Sequence, residues 1–366
     1  MTERNPFTPA FGTTPAILAG RDELLHEMRE ALVQGTGDPN LSSILVGPRG
    51  TGKTVCLSRI AEDAEACGWI AASSSAIPGL LEDLFEQTLR EASHLVDPHG
   101  GVRITNVGVG PLSAGWEYGA ERRGNWRTRM GALLDQLAEH GTGLLLTVDE
   151  VDASLDELIT LASVYQHLVR EDRKVALVMA GLPSHVGALL SNRSVSFLRR
   201  AQRHTLGRVS DADVADAFRR TMALTSKSLD AEALDACTTA TEGFPYMLQL
   251  VGFRSWQAAQ DKERVGPDDA RAGVDNARRD FEEHVLAPSY RELSPMDVSF
   301  VNAMLQDKVE SRLSDIAQRM GVTSRYASTY RSRLQEAGVV ESPARGIVRF
   351  CLPGFPAYAR HRVELG

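Results

Sequence analysis

The segment Gly47-Pro48-Arg49-Gly50-Thr51-Gly52-Lys53-Thr54 constrains this chain more than any other. It matches GxxxxGK[ST], with the short apolar run Leu41 to Val46 before it and the helix-compatible stretch Val55 to Ala66 after it. A buried strand that breaks into glycines and re-emerges as a helix lets backbone N–H groups converge on an anion. The helix N-terminus adds partial positive charge at the same place. The expected ligand is a nucleoside triphosphate, ATP. Lys53 would reach its β- and γ-phosphates, and Thr54 would set its hydroxyl on Mg2+, a hard cation that prefers oxygen. The competing reading is a chance glycine turn.

A second motif completes the expectation. Leu144-Leu145-Leu146-Thr147-Val148-Asp149-Glu150 is an apolar strand ending in two carboxylates, a Walker B arrangement. Asp149 would hold the magnesium through water, and Glu150 would orient or deprotonate the attacking water. Alone, such a pair also reads as a solvated strand end. Trp69 to Ala72 and Val175 to Ala180 are further runs of strand length, while Leu80 to Leu95 and Arg127 to His140 have helical spacing. Strands alternating with helices predict an α/β fold, a P-loop NTPase parallel sheet with helices on both faces.

After about Arg208 the strand signal fades. Asp211 to Leu224, Ala231 to Thr241, Tyr246 to Gln260 and Pro267 to Val285 read as the helices of an all-α domain, with Ser210, Asp230 and Pro267 at or beside helix starts. A further unit opens at Leu293-Ser294-Pro295. In it, Leu313 to Met320, the turn Gly321-Val322 and Thr323 to Ala337 have helix-turn-helix spacing. Val339-Val340 and Ile347 to Leu352 then flank Ser342 to Gly346 as the two strands of a wing. The expected domains are residues 1–208, 209–290 and 291–366. Pro98 to Trp126, rich in glycine and aromatics, reads as an inserted loop or hairpin spanning about 96–126, either functional or a plain surface insertion.

With 366 residues, 43% hydrophobic and 24% charged, the chain has a globular balance suited to two or three domains. Its start lacks a signal-peptide pattern, and no apolar run approaches the roughly 20 residues needed to cross a bilayer, so a cytoplasmic protein without membrane contact is expected. Cys56, Cys67, Cys237 and Cys351 stand apart, without zinc-site spacing or disulfide-scaffold density. The net charge of −8 hides a local contrast: from Arg312 to Arg362 there are nine arginines against three acids. A basic module on an acidic body is the pattern of a confined nucleic-acid contact. Thr323, Ser324, Arg325, Ser328, Thr329, Arg331 and Ser332 on the second helix, with Arg345 in the wing, are the candidate contacts to double-stranded DNA. Tyr326, Tyr330 and Leu334 recur at four-residue spacing and are expected in the core.

In this order the motifs resemble the AAA+ ATPases, most of all the branch holding origin-recognition and archaeal initiator ATPases, over most of the chain. Leu18-Ala19-Gly20-Arg21-Asp22-Glu23-Leu24 is similar to the GRxxEL segment that lies against adenine in that branch and in the related STAND signalling ATPases. Gly243-Phe244-Pro245-Tyr246 is similar to the GxP start of the lid helix. The resemblance implies a nucleotide site of Gly20, Arg21, Gly47 to Val55 and Pro245. It also implies an arginine finger at Arg199 or Arg200, given to a neighbouring subunit in a homo-oligomer, with Arg193 and Arg203 near enough to compete. Two departures weigh against fast turnover. Ala180-Gly181 ends the fourth strand where the family commonly has a polar sensor, with only Ser184 nearby, and Tyr246 stands where many members carry a sensing arginine. The expectation is an ATPase that couples ATP binding and slow hydrolysis to DNA binding. The alternative is a STAND-like switch in which the winged helix packs on the nucleotide domain, the partners are proteins and DNA is not touched.

Overall fold

The computed structural model describes residues 3–10, 12–96 and 126–365. They divide into two compact units, one of residues 23–46 and 56–205, the other of residues 1–22, 47–55 and 206–366. The insertion expected at 96–126 lies outside the described residues from 97 to 125.

The first unit carries a five-stranded sheet: β1 (Ser42–Val46), β2 (Ile70–Ser75), β3 (Leu144–Asp149), β4 (Val175–Gly181) and β5 (Gln202–Thr205), in spatial order β2-β3-β4-β1-β5. Every neighbouring pair is parallel. Helices α1 (Asp22–Gln34), α2 (Lys53–Ala66), α3 (Leu80–Glu91), α4 (Trp126–Glu139), α5 (Asp156–Arg170) and α6 (Pro183–Ser191) supply the crossovers. Successive strand side chains point to opposite faces, and β3 and β4 are buried along nearly their whole length, so both faces of the sheet are covered. Leu84, Met130, Leu146, Leu161 and Leu177 belong to one core. Val46 pairs with Gly181 and Val148 with Met179, so β1 and β3 end at the same edge of the sheet with β4 between them.

The helical stretch between β4 and β5 is broken. α6 ends at Ser191, Asn192 turns extended and caps a new turn through Oδ1 to the Ser194 N–H at 2.9 Å, and a 3-10 segment runs from Arg193 to Arg200. Asparagine competes with the helix for its own backbone, which favours a cap over a continued helix.

The second unit is mainly helical: α7 (Asp211–Met222), β6 (Ser228–Leu229), α8 (Ala231–Thr241), α9 (Pro245–Ala258), β7 (Arg264–Val265) and α10 (Pro267–Phe281). The helix expected to run from Pro267 to Val285 instead passes into one π turn, Glu282–Leu286, and continues as α11 (Ala287–Arg291). There the Ala287 N–H reaches back to the Glu282 carbonyl, and Pro288, with no N–H to donate, follows at once. α12 (Pro295–Met304) starts at a capping box in which Ser294 and Asp297 each accept the other's backbone N–H, at 3.3 and 3.0 Å.

Next come β8 (Glu310–Arg312), α13 (Leu313–Arg319), α14 (Ser324–Glu336), β9 (Val340–Glu341), β10 (Ile347–Phe350) and α15 (Phe355–Leu365). α13 and α14 are consecutive helices joined by a short turn where the helix-turn-helix was expected, and β8-β10-β9 is a three-stranded antiparallel sheet that contains the two strands expected of a wing. One continuous apolar core runs from Val214 and Phe218 through Val274 and Phe281 to Phe300, Leu334 and Phe355.

Phe7, in a segment that reads as polar and proline-rich, is 1% exposed in this same core. Its ring lies against Gly252, where a Cβ would come within 2.3 Å of it, and sits 5.8 Å from the Phe218 ring. Asn5 Nδ2 donates to the Phe253 carbonyl at 3.0 Å, and the Thr8 N–H donates to Gln249 Oε1 at 3.0 Å. The N-terminal segment is therefore a strap on the helical unit. Phe7→Ala should cost about 3 kcal/mol of stability, the usual loss for a buried phenylalanine, as an earlier midpoint in urea unfolding.

Candidate nucleotide site and winged-helix surface

The phosphate loop, residues 47–55, belongs to the second unit, where three other segments converge on it. From the N-terminal side, Arg21 Nη2 donates to the Gly207 carbonyl at 2.8 Å and to the Thr51 carbonyl at 3.4 Å. From the exit of β5, the Leu206 carbonyl approaches Gly47 so closely that a Cβ there would lie 2.3 Å away. From the lid, the Phe244 ring covers Gly50, where a Cβ would meet Cζ at 2.2 Å, and Gly50 has φ +77°, a conformation side chains resist. Lys53 Nζ donates to the Gly47 and Pro48 carbonyls at 2.8 and 2.7 Å, and Thr51 Oγ1 to the Pro48 carbonyl at 2.9 Å. Gly52 is open to space, and Thr54 is exposed in the first turn of α2. A glycine-rich loop opening onto a helix N-terminus suits an anionic group, and a threonine hydroxyl suits a hard cation.

Gly243 locks the lid to this cluster. It has φ +69°, its carbonyl accepts from the Val209 N–H at 2.8 Å, and a Cβ would lie 2.4 Å from the Val209 carbonyl. Gly20 sits beside Val209 and Asp213. The motif segments at Gly20-Arg21, Gly47 to Thr54 and Gly243 to Pro245 thus gather in one unit. Pro245 occupies the first turn of α9 and Tyr246 stacks on Phe281, 6.0 Å between centroids. Sequence reasoning passed over Phe244 and Arg208. Phe244 sat inside the GxP motif as a variable position, and Arg208 carried no pattern of its own.

The acidic strand end lies in the first unit. β3 finishes at Asp149, whose Oδ1 accepts the Glu150 N–H at 2.8 Å, and Glu150 is exposed with φ +52°. A left-handed glutamate is strained unless its surroundings hold it, and such outliers concentrate at functional sites. Here the neighbouring backbone holds it. The Val151 N–H donates to the Ala180 carbonyl at 2.9 Å and the Ala76 N–H to the Asp149 carbonyl at 2.9 Å. The same Val151 closes the end of β4: a Cβ on Gly181 would meet Val151 Cγ2 at 2.5 Å, so this position admits no polar sensor side chain. Ser184 is exposed on α6. Arg199 and Arg200 are both exposed near the end of the 3-10 segment, Arg199 with its Nε bonded to the Leu190 carbonyl at 2.8 Å.

On the winged helix, Thr323, Ser324, Arg325, Thr329 and Arg345 are exposed, with Thr323 capping α14. Ser328, Arg331 and Ser332 differ from expectation in being half-buried. Ala327 and Leu334 mark the buried stripe of α14, and Arg331, four residues after Ala327, falls on it, its Nε without a hydrogen-bond partner. Tyr326, expected in the core, is 48% exposed, its hydroxyl 2.9 Å from that of buried Tyr330. Several C-terminal arginines are spent internally: Arg319 on Asp307, Arg333 on Asp297 and Arg349 on Glu341. The Arg319 guanidinium holds the Asp307 carboxyl down at about 2. Arg312, Arg325 and Arg345 are exposed and make no ion pair among the described residues.

Arg21 braces the loop backbone through charged hydrogen bonds, each contributing about 1.5–3 kcal/mol. Arg21→Ala should therefore weaken Mg-ATP binding at least about tenfold in calorimetry while leaving the helical circular-dichroism signal intact.

Residues 17–178 match the family model described as AAA ATPase domain, and residues 283–359 match a second described as Domain of unknown function (DUF8462), which begins within the π turn. No curated protein matches the sequence. Among solved structures, a Walker-type ATPase of Pyrococcus abyssi superposes with a TM-score of 0.64 at 14% identity, covering 94% of this chain and 96% of that one. The Aeropyrum pernix ORC2 protein, in its ADPNP-ADP complexes, gives 0.58 at 13% identity, with 98% of each chain covered. Cdc6p from Pyrobaculum aerophilum gives 0.50 at 15% identity, covering 98% and 96%. At these identities the likeness is one of fold. Among the described residues no helix is long and apolar enough to cross a membrane. Residues 17–178 thus match an AAA ATPase domain, and the chain shares the fold of the AAA+ archaeal initiator proteins it superposes on.

Proposed function

We propose that this chain binds Mg-ATP, hydrolyses it slowly and couples its nucleotide state to duplex DNA through the winged helix. In this reading residues 1–208 form the nucleotide domain, 209–290 the lid and 291–366 the DNA-binding module. The observation that carries it is the convergence of Arg21, the Leu206 carbonyl and Phe244 on a loop in which Gly47 and Gly50 leave no room for a side chain. Lys53 would balance phosphate charge and Thr54 would hold magnesium, while Asp149 and Glu150 keep the metal-holding and water-positioning roles expected of them from the sequence. Arg200 is the better candidate for a finger acting on a neighbouring subunit's nucleotide, since Arg199 already uses its Nε. Magnesium supplies charge neutralisation on the phosphates when bound.

The DNA half of the reading is supported by the exposed hydroxyl and arginine residues at the start of α14 together with Arg345. From Arg312 onward, Arg312, Arg325, Arg345, Arg360 and Arg362 are exposed and outside the ion pairs found among the described residues. The electrostatic footprint is therefore smaller than the arginine count suggests. A protein neutralising about five phosphates should show a slope of log affinity on log salt of roughly −4.5. The second reading, a switch with protein partners, is favoured by the apolar end of β4, where Val151 excludes a γ-phosphate sensor.

Lys53→Ala should abolish the calorimetric heat of Mg-ATP binding. Glu150→Gln should retain that heat and lower turnover by about a hundredfold or more, as removal of a general base does; unchanged turnover would remove Glu150 from the chemistry. A labelled duplex titrated at two salt concentrations, with and without Mg-ATP, tests the coupling. No affinity in either state at low salt leaves the switch with protein partners.

A further inference from the structure

The winged helix and the phosphate loop are joined within the second unit by two arginines. α14 ends in a left-handed glycine cap: Gly338 has φ +74°, its N–H donates to the Gln335 carbonyl at 3.1 Å, and the Val339 N–H donates to the Leu334 carbonyl at 2.9 Å. That cap serves the carbonyls of Leu334 and Gln335. The next one, of Glu336, takes its hydrogen bond from Arg49 Nε at 2.8 Å, and the arginine's aliphatic stem lies against Gly338, where a Cβ would come within 2.9 Å of it. Arg49 belongs to the phosphate loop itself, two residues after Gly47. The second arginine, Arg208, follows Gly207 at the exit of β5. Its Nη2 donates to the carbonyls of Phe350 and Cys351, at 3.3 and 3.4 Å, at the end of β10, and its Nη1 pairs with Glu242 at 3.9 Å.

We propose that Arg49 has two alternative ligands, the end of the DNA-facing helix and the phosphates of an incoming nucleotide, so that nucleotide binding unlatches the winged helix. A helix C-terminus offers a neutral carbonyl and a partial negative charge that fades within one turn. A triphosphate in the same loop offers full charge and paired oxygens, with which a guanidinium bonds about twice as strongly as with a neutral acceptor. The exchange therefore runs toward the nucleotide. Arg208, anchored outside the loop, keeps the wing tethered while the end of α14 comes free, so release is a local loosening of residues 334–341. This inference rests on the proposed function for its ligand and deepens it by naming the contact that transmits nucleotide state to the DNA-facing helix.

Hydrogen exchange on the full-length chain tests it, with Mg-ATP occupancy fixed by calorimetry. In the wild type, saturating Mg-ATP should speed exchange of the Gly338 and Val339 amides at least about tenfold, the loss expected for one charged hydrogen bond. Arg49→Ala should show that faster exchange without nucleotide and no further response to it. Arg208→Ala should loosen the amides of β10 without nucleotide and still respond at Gly338. If protein that binds Mg-ATP shows equal exchange in wild type and Arg49→Ala, or no change at Gly338 on nucleotide binding, the latch is overturned while the nucleotide site stands. Absence of Mg-ATP heat overturns the functional reading and the ligand exchange together. Unlatching without any duplex affinity overturns the DNA half alone and keeps the latch.

Discussion

Everything in the second unit turns on how closely backbone and rings can approach a loop that has no side chains in the way. The Leu206 carbonyl against Gly47 and the Phe244 ring against Gly50 occupy space that a single methyl group would fill. Such contacts tie the exit of β5 and the first turn of α9 to the loop through hard repulsion, which tolerates little play. Arg21 then pins the loop's own carbonyls, and Gly243 fixes the lid's entry to Val209. A cradle held from three sides keeps its N–H groups preorganised for an anion rather than paying for their ordering on binding.

The same steric argument, applied to the first unit, accounts for what the site lacks. Val151 is held over Gly181 because its N–H is bonded to the Ala180 carbonyl, a consequence of the left-handed turn at Glu150. One backbone conformation thus presents Glu150 and excludes a polar residue from the end of β4.

Charge in the winged helix follows a related economy. Arg319, Arg333 and Arg349 face Asp307, Asp297 and Glu341 and stabilise the module, so a third of the nine arginines counted there are spent internally. Arg325 at the start of α14 and Arg345 in the wing remain outward, as do Arg312, Arg360 and Arg362, while the far end of α14 is turned to Arg49. A helix with one end available to a partner and the other bonded to the phosphate loop is suited to relay between them.

The strand-loop-helix pattern around Gly47 to Thr54, the apolar β3 and β4, and the helices α8, α9, α13 and α14 were legible, because local periodicity and capping residues dictate them. Ser294 and Thr323 cap where their side chains suggest. What local pattern misses is decided by packing between distant segments. Phe7 is buried because Gly252 leaves a hole for it, Tyr326 is exposed because α14 turns its stripe toward Ala327 and Leu334, and Arg331 is half-buried because it falls on that stripe. The π turn before Pro288 and the break at Asn192 are outcomes of hydrogen bonding that propensity ranks only weakly. By itself the sequence determined which segment carries the phosphate-loop pattern and which segments are helix or strand, since those depend on residues near one another in the chain. Only the tertiary structure decided that Arg49 meets Glu336 and Arg208 meets Phe350, because contacts across 287 and 142 residues leave no periodicity to read.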